Sequence, residues 1–175
     1  MRQDTFKTFC ERLLKRLKGA SRIAIVGIGD ELLPFDRLGM IAAREAGKLH
    51  LPGTRVFLAG TMPESITGPL REFHPDHVLM IDAADMGTPP GTVAVIQPGR
   101  IRANLYSTHN LPLTAVMQFI AWDIGTKVTL VGIQPETTEA STEISGHERD
   151  AIERLLSAIS SAISRMPDNE APKIP

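Results

Sequence analysis

The sequence predicts an α/β fold: a three-layer α/β/α sandwich around a mostly parallel, twisted sheet of about five strands. Short runs of branched apolar residues alternate along the chain with longer segments in which apolar residues recur at helical spacing. Such alternation is typical of a parallel sheet that is covered on both faces by helices. The first apolar run ends in a Gly-Ile-Gly turn at 27–29, which indicates a buried strand that turns sharply at its carboxyl end.

Ten helices and strands are predicted from these patterns. The predicted strands are 22–26, 55–58, 77–81, 92–96 and 127–133, and the predicted helices are 4–18, 37–49, 64–73, 113–124 and 148–163. In the first helix, Gly19 is placed to end the last turn. The chain between Ile81 and Thr92 is too short for a helical crossover, so we expect one antiparallel or edge strand there.

Length and composition indicate one domain without a polyanionic partner. The chain has 175 residues, of which 42% are hydrophobic, and we divide it into a helical extension packed on the domain (1–20), the main domain (21–165) and a flexible polar tail (166–175). The formal net charge is -1, with 19 basic and 20 acidic side chains, which disfavours nucleic acid as a partner. No apolar run approaches the roughly 20 residues that cross a bilayer, so we expect a cytoplasmic protein without membrane insertion.

Three polar segments follow predicted strands, where open α/β sheets bind their ligands. The first, 27–39, contains Asp36; the second, 82–87, begins with Asp82; the third, 107–113, contains His109 just before a helix. Two carboxylates and one imidazole from separate strand ends suit a divalent metal such as nickel, zinc or copper. Each residue also has a simpler interpretation, because loop aspartates bind backbone amides and a lone loop histidine is more often merely exposed.

Other catalytic and binding signatures are weak or missing. Leu32 occupies the place of the third glycine in a dinucleotide-binding fingerprint. His147 and Glu148 lack the second histidine of a zinc-protease helix, and the sequence has no Gly-x-Ser-x-Gly elbow. The single cysteine, Cys10, lies on the apolar face of the first helix and is predicted to be buried. We expect His77 to lie near a helix end or loop and to have no function.

Five ordered segments resemble the hydrogenase maturation proteases. They are 27–29, 60–64, 82–91, 108–113 and 130–136, and the similarity runs from about residue 22 to residue 163. The Asp-Met-Gly and Thr-His-Asn-Leu-Pro-Leu segments look most like the branch that serves membrane-bound, hydrogen-evolving hydrogenases. The resemblance implies an aspartic-type endopeptidase that removes the carboxyl-terminal extension of a nickel-iron hydrogenase large-subunit precursor after nickel insertion.

The resemblance also implies a set of ligands. Asp36 and Asp82 look like the family's two acidic metal ligands, and His109 looks like its histidine ligand. Nickel would be presented by the substrate as a recognition element, and other divalent ions such as zinc or cadmium would also fit the site. No catalytic group is assigned beyond Asp36 and Asp82.

The loop around Asp36 departs from the family pattern. Asp30 stands where relatives often have Asn, and Pro34, Phe35 and Arg37 also differ. These departures motivate one alternative, a non-cleaving, nickel-dependent checkpoint or binding protein with the same ligands. A second alternative, a small-molecule hydrolase or nucleotide binder, is suggested by the Gly-Ile-Gly turn at 27–29 alone.

Overall fold

The computed structural model describes residues 3–96, 112–136 and 143–165, and it has the predicted α/β fold. The strands are β1 (Ile23–Ile28), β2 (Thr54–Gly60), β3 (His77–Ala83), β4 (Val93–Ile96) and β5 (Lys127–Ile133). The helices are α1 (Gln3–Leu17), α2 (Leu38–Lys48), α3 (Thr67–Phe73), α4 (Leu113–Ile124) and α5 (Gly146–Ser164), and a 3₁₀ turn (Pro63–Ile66) precedes α3. None of the helices in these ranges is long and apolar enough to cross a membrane.

The five strands form one sheet in the order β2-β1-β3-β5-β4. β1 is parallel to β2 and β3, and β3 is parallel to β5. β4 runs antiparallel to β5 at one margin, which confirms the predicted change of direction after Ile81. Because four strands share a direction, their carboxyl ends lie together, and we call this side of the molecule the carboxyl end of the sheet.

Helices cover both faces of the sheet and create two apolar cores. On one face, α1, α2 and α5 pack against alternate strand residues; this core includes Leu13, Ile25, Ala43, Leu79, Val131 and Leu155. On the other face, α3 and α4 pack against the intervening residues; that core includes Val26, Leu70, Met80, Val116, Ile120 and Leu130. The two-residue alternation of the strands therefore supplies both cores, as expected for a sheet buried on each side.

The predicted helix 64–73 is divided into the 3₁₀ turn and α3. Pro69 lies in the first turn of α3 and has no N–H with which to continue an α-helical ladder back to Ser65. At this break the Thr67 hydroxyl donates a hydrogen bond to the Glu64 carbonyl oxygen at 2.7 Å. A proline near a helix start thus marks the break that apolar periodicity alone does not show.

Cys10 is less buried than predicted. It packs against the first core but is half-buried, and it lines a cleft of about 390 Å³ between α1 and α5 together with Phe6 and Arg165. Partial burial raises the pKa of the Cys10 thiol. The residue is therefore a packing group with one side open to this cleft.

A buried carboxylate connects the chain after β5 to the start of α5. The Glu148 side chain is 4% exposed and accepts hydrogen bonds from the Glu136 N–H at 3.0 Å and the Ser145 N–H at 2.8 Å. The Ser145 hydroxyl accepts in turn from the Glu148 N–H at 3.2 Å, which completes a capping box. One side chain therefore begins the helix and holds it to the carboxyl end of the sheet.

His77 is a buried residue at the start of β3, which confirms the predicted strand 77–81 at this end and shows that the expected place near a helix end or loop is wrong. It is the first residue of β3, is 1% exposed, and its Nε2 lies 2.8 Å from the Thr129 hydroxyl. Burial, and then the positive charges of Lys127 and Arg16, lower the pKa of His77 to about 4. The imidazole is therefore neutral in the folded protein at any pH above this value.

We expect His77 to make the fold sensitive to acid. Between pH 6.5 and 4 the unfolded chain binds a proton at His77 and the folded protein does not, so the free energy of unfolding falls by up to about 3 kcal/mol. His77→Gln should remove this loss, which urea denaturation at pH 7 and pH 4.5 measures. Equal losses in the variant and the parent protein would show that other groups cause the acid sensitivity.

Candidate functional site

The turn after β1 is folded back onto Asp36. Gly29 has a φ of +126°, and a Cβ atom there would lie 1.9 Å from the Asp36 carbonyl oxygen, so only glycine fits. The Asp30 N–H donates to Asp36 Oδ2 at 2.8 Å. Asp36 is 4% exposed, although it belongs to a loop. The local chain therefore buries this carboxylate at the end of β1 and fixes one of its oxygens.

The start of α2 is pressed against the ends of two strands. A Cβ atom on Gly39 would lie 2.2 Å from the Ile81 carbonyl oxygen and 2.4 Å from the Ile28 carbonyl oxygen. Ile28 ends β1, and Ile81 directly precedes Asp82 in β3. This close packing, which requires glycine, brings the loop that carries Asp36 beside Asp82.

Asp82 is the second acid of the pair. It lies near the end of the central strand and is 8% exposed, and its Oδ1 has no hydrogen-bond partner within the part of the chain that the structure describes. Burial, and then the negative charge of Asp36, raise the pKa of Asp82 to about 8, against a smaller opposing effect of a hydrogen bond from the Ala83 N–H. Asp82 is therefore protonated at neutral pH in the metal-free protein.

The neighbouring acid, Asp85, has a different environment. It is exposed, and its Oδ1 accepts from the Gly87 N–H at 3.1 Å and from Gln134 Nε2 at 3.3 Å. The simple interpretation of a loop aspartate that caps backbone amides thus describes Asp85. Asp82, in contrast, has a buried oxygen available for another group.

Gln134 is a site-forming residue to which the sequence analysis assigned no role. Its side chain is 5% exposed, and Oε1 accepts from the Met86 N–H at 2.7 Å and from the Thr88 N–H and hydroxyl at 3.4 Å each. These bonds tie the loop after Asp82 to the end of β5. The sequence signals were its position directly after a strand and its place in the segment 130–136 that resembles the family.

The acid pair fits a divalent cation. Two buried carboxylates supply the oxygen ligands that such ions accept, and one of them has an oxygen without a hydrogen-bond partner among the described residues. A bound cation would favour ionised Asp82. His109 lies outside the described residues, so its place at this site stays a prediction. Among residues 3–96, 112–136 and 143–165, no three side chains of His, Cys, Asp or Glu form a metal-binding cluster.

The fold and the paired acids together define an α/β protein with an acidic site at the carboxyl end of its sheet. Comparison with known proteins gives the family. The model of the HycI-type hydrogenase maturation protease family matches residues 43–162, which include Asp82, and the chain belongs to this family of endopeptidases.

Individual relatives agree with this assignment. The hydrogenase 3 maturation protease of Escherichia coli is 30% identical over 129 residues, which cover 73% of this chain and 82% of that protein. The crystal structure of the [NiFe] hydrogenase maturation protease HycI from Thermococcus kodakarensis superposes with a TM-score of 0.75 at 32% identity, over 87% of this chain and 99% of that one. The solution structure of the endopeptidase HycI from E. coli gives a TM-score of 0.69 at 27% identity, over 80% and 90%.

Proposed function

We propose that this protein removes the carboxyl-terminal extension of a nickel-iron hydrogenase large-subunit precursor after nickel has been inserted. The observation that carries the proposal is the pair of buried carboxylates, Asp36 and Asp82, at the carboxyl end of a sheet with the hydrogenase maturation protease fold. The relatives that share this fold are named for the maturation of hydrogenases.

Nickel in this proposal belongs to the substrate. The uncoordinated Asp82 oxygen and the Asp36 carboxylate offer oxygen ligands, and His109 would add a nitrogen ligand. Such an incomplete set leaves coordination positions for groups of the precursor, so a metal already held by the substrate can bridge the two proteins. A precursor without nickel lacks this bridge. Other divalent ions such as zinc or cadmium would also occupy the same ligands.

The acid pair also supports aspartic-type chemistry. In the metal-free protein Asp82 has a pKa of about 8, because it is buried and lies beside the negative charge of Asp36. With a cation at the site Asp82 would be ionised, so a carboxylate of the pair would accept a proton from attacking water and then pass it to the leaving amine. Asp36 and Asp82 are therefore the proposed catalytic residues as well as the proposed ligands.

The partner is the large-subunit precursor and not nucleic acid, because a net charge of -1 gives no general attraction to a polyanion. We propose a cytoplasmic location for the encounter with the precursor. The branch that serves membrane-bound, hydrogen-evolving hydrogenases is the proposed source of the precursor.

Mass spectrometry of the precursor tests the function directly. Nickel-loaded precursor incubated with the protein should lose one discrete carboxyl-terminal peptide, whereas nickel-free precursor should stay intact. Asp36→Ala, Asp82→Ala and His109→Ala should each reduce the cleavage rate by about 100-fold or more, because each removes a group of the proposed site.

Asp150→Ala is a matched control. Asp150 is an exposed aspartate on α5 and is not part of the buried pair, so its replacement should leave cleavage unchanged. Intact precursor in every reaction, together with nickel-dependent binding, would instead support the non-cleaving checkpoint. Equal cleavage of nickel-loaded and nickel-free precursor would contradict nickel recognition while preserving the protease assignment.

A further inference from the structure

The Leu32 side chain is exposed to solvent although it belongs to an ordered loop. Its side chain is 89% exposed, yet the loop around it is closed by hydrogen bonds from the Leu32 N–H to Asp30 Oδ1 at 2.9 Å and from the Leu33 N–H to the Asp30 carbonyl at 3.1 Å. Glu31 is anchored to Arg44 of α2 by a salt bridge of 2.5 Å. Because both neighbours are fixed, the exposure of Leu32 is a property of the folded loop.

The salt bridge draws this loop towards the outer strand β2. Met40, Arg44 and Gly47 are spaced by four and three residues, so they lie along one side of α2. That side faces β2, because Met40 Sδ accepts from the Gly60 N–H at 3.3 Å and a Cβ on Gly47 would lie 3.5 Å from a Val56 methyl group. Leu32 is therefore presented on the β2 side of the site.

Two further large apolar side chains are exposed in β2 or directly after it. Leu58, in β2, is 44% exposed, and Met62, just after β2, is 53% exposed. Together with Leu32 they are half of the six exposed large apolar side chains among the described residues. We call Leu32, Leu58 and Met62 the apolar rim.

The backbone joins the loop of the acid pair to the strand that carries Leu58. The Gly29 N–H, in the turn that folds onto Asp36, donates to the Gly60 carbonyl at the end of β2 at 3.0 Å. Leu58 pairs with Gly27 of β1 and lies on the face that α2 covers, at the outer margin of the sheet. A polypeptide bound at the acid pair can extend from there across the end of β2.

We propose that the apolar rim binds an apolar segment of the large-subunit precursor beside its cleavage site and so determines which precursor is accepted. This inference rests on the proposed function, because it needs the precursor at the acid pair. Three exposed, uncharged side chains gain by leaving water and offer no ionic attraction, so the segment that fits them is apolar. The metal ligands then recognise nickel in the precursor, and the rim recognises the amino-acid sequence beside the cleavage site.

Kinetics with rim variants test the proposal. Leu32→Ser, Leu58→Ser and Met62→Ser should each raise KM for the nickel-loaded precursor by about 10-fold, with kcat within about twofold of the parent, because uniform binding is lost and the acid pair is untouched. Leu49→Ser is the matched control. Leu49 is also 44% exposed but lies at the end of α2 that is remote from the acid pair, so KM should not change.

Three results would contradict the proposal that the apolar rim binds the precursor. They are an equal KM increase in Leu49→Ser, a fall in kcat at constant KM in the rim variants, and a KM increase confined to Trp122→Ser. The last would place docking on α4, where Trp122 is 80% exposed. If the parent protein does not cleave the precursor, the proposed function fails, and precursor binding measured by biolayer interferometry then tests the rim separately. Weaker binding by the rim variants alone supports the proposal, and unchanged binding contradicts it.

Discussion

Asp82→Asn should make the protein more stable at neutral pH and inactive. The parent protein holds Asp82 with a pKa raised to about 8, whereas the carboxyl of the unfolded chain ionises near 3.8. As pH rises from 3.8 to 8, the unfolded chain releases this proton and the folded protein keeps it, so the free energy of unfolding decreases. At pH 7 this loss is on the order of 4 kcal/mol in metal-free protein.

Asparagine cannot ionise and therefore removes the loss. Its buried amide has no assured partner and costs about 1–3 kcal/mol, so a net gain of about 2 kcal/mol remains. Thermal unfolding at pH 5 and pH 8 should show a higher midpoint for the variant at pH 8 and a smaller difference at pH 5. Cleavage should fall by about 100-fold or more. A variant less stable than the parent at pH 8 would show that ionised Asp82 is accommodated in the fold.

Gly39→Ala should displace the start of α2 and so disrupt the site, although Gly39 itself lies three residues after Asp36. Its Cβ would be 2.2 Å from the Ile81 carbonyl oxygen, far inside van der Waals contact, and the obstacle is backbone that cannot rotate away. We expect a loss of about 3 kcal/mol in the free energy of unfolding, measured by urea denaturation. Cleavage should also fall, because the movement separates Asp36 from Asp82.

Gly68→Ala is the control for this substitution. Gly68 is the second residue of α3, as Gly39 is the second residue of α2, and no atom lies within 4 Å of its would-be Cβ. Alanine there should be neutral or stabilise by up to about 1 kcal/mol. If both variants lose the same stability, the contact of Gly39 with the strand ends is not the cause of the loss.

The fold was predictable because its main determinants are periodic. Alternating apolar strand residues that supply two cores, and short runs separated by helical segments, leave a direct record in the sequence. The short connection after Ile81 likewise predicted the antiparallel β4, since chain length limits the possible crossovers. The break before α3 was missed because it depends on one absent N–H, that of Pro69.

The site was predictable only in part. Asp36 and Asp82 followed from their positions after strands and from the family resemblance, and the structure places both in the interior beside one another. The causes of that arrangement, Gly39 between two strand ends and Gln134 holding a loop, are single contacts between residues far apart in sequence. No local pattern specifies such contacts. His109, outside the described residues, stays a prediction.

The Glu148 carboxylate connects two parts of the chain that are separated by residues 137–142. Because it binds both the Glu136 N–H and the Ser145 N–H, the described chain is secured on each side of residues 137–142. We therefore expect a peptide tag or dye inserted between these two anchors to leave β5 and α5 in place.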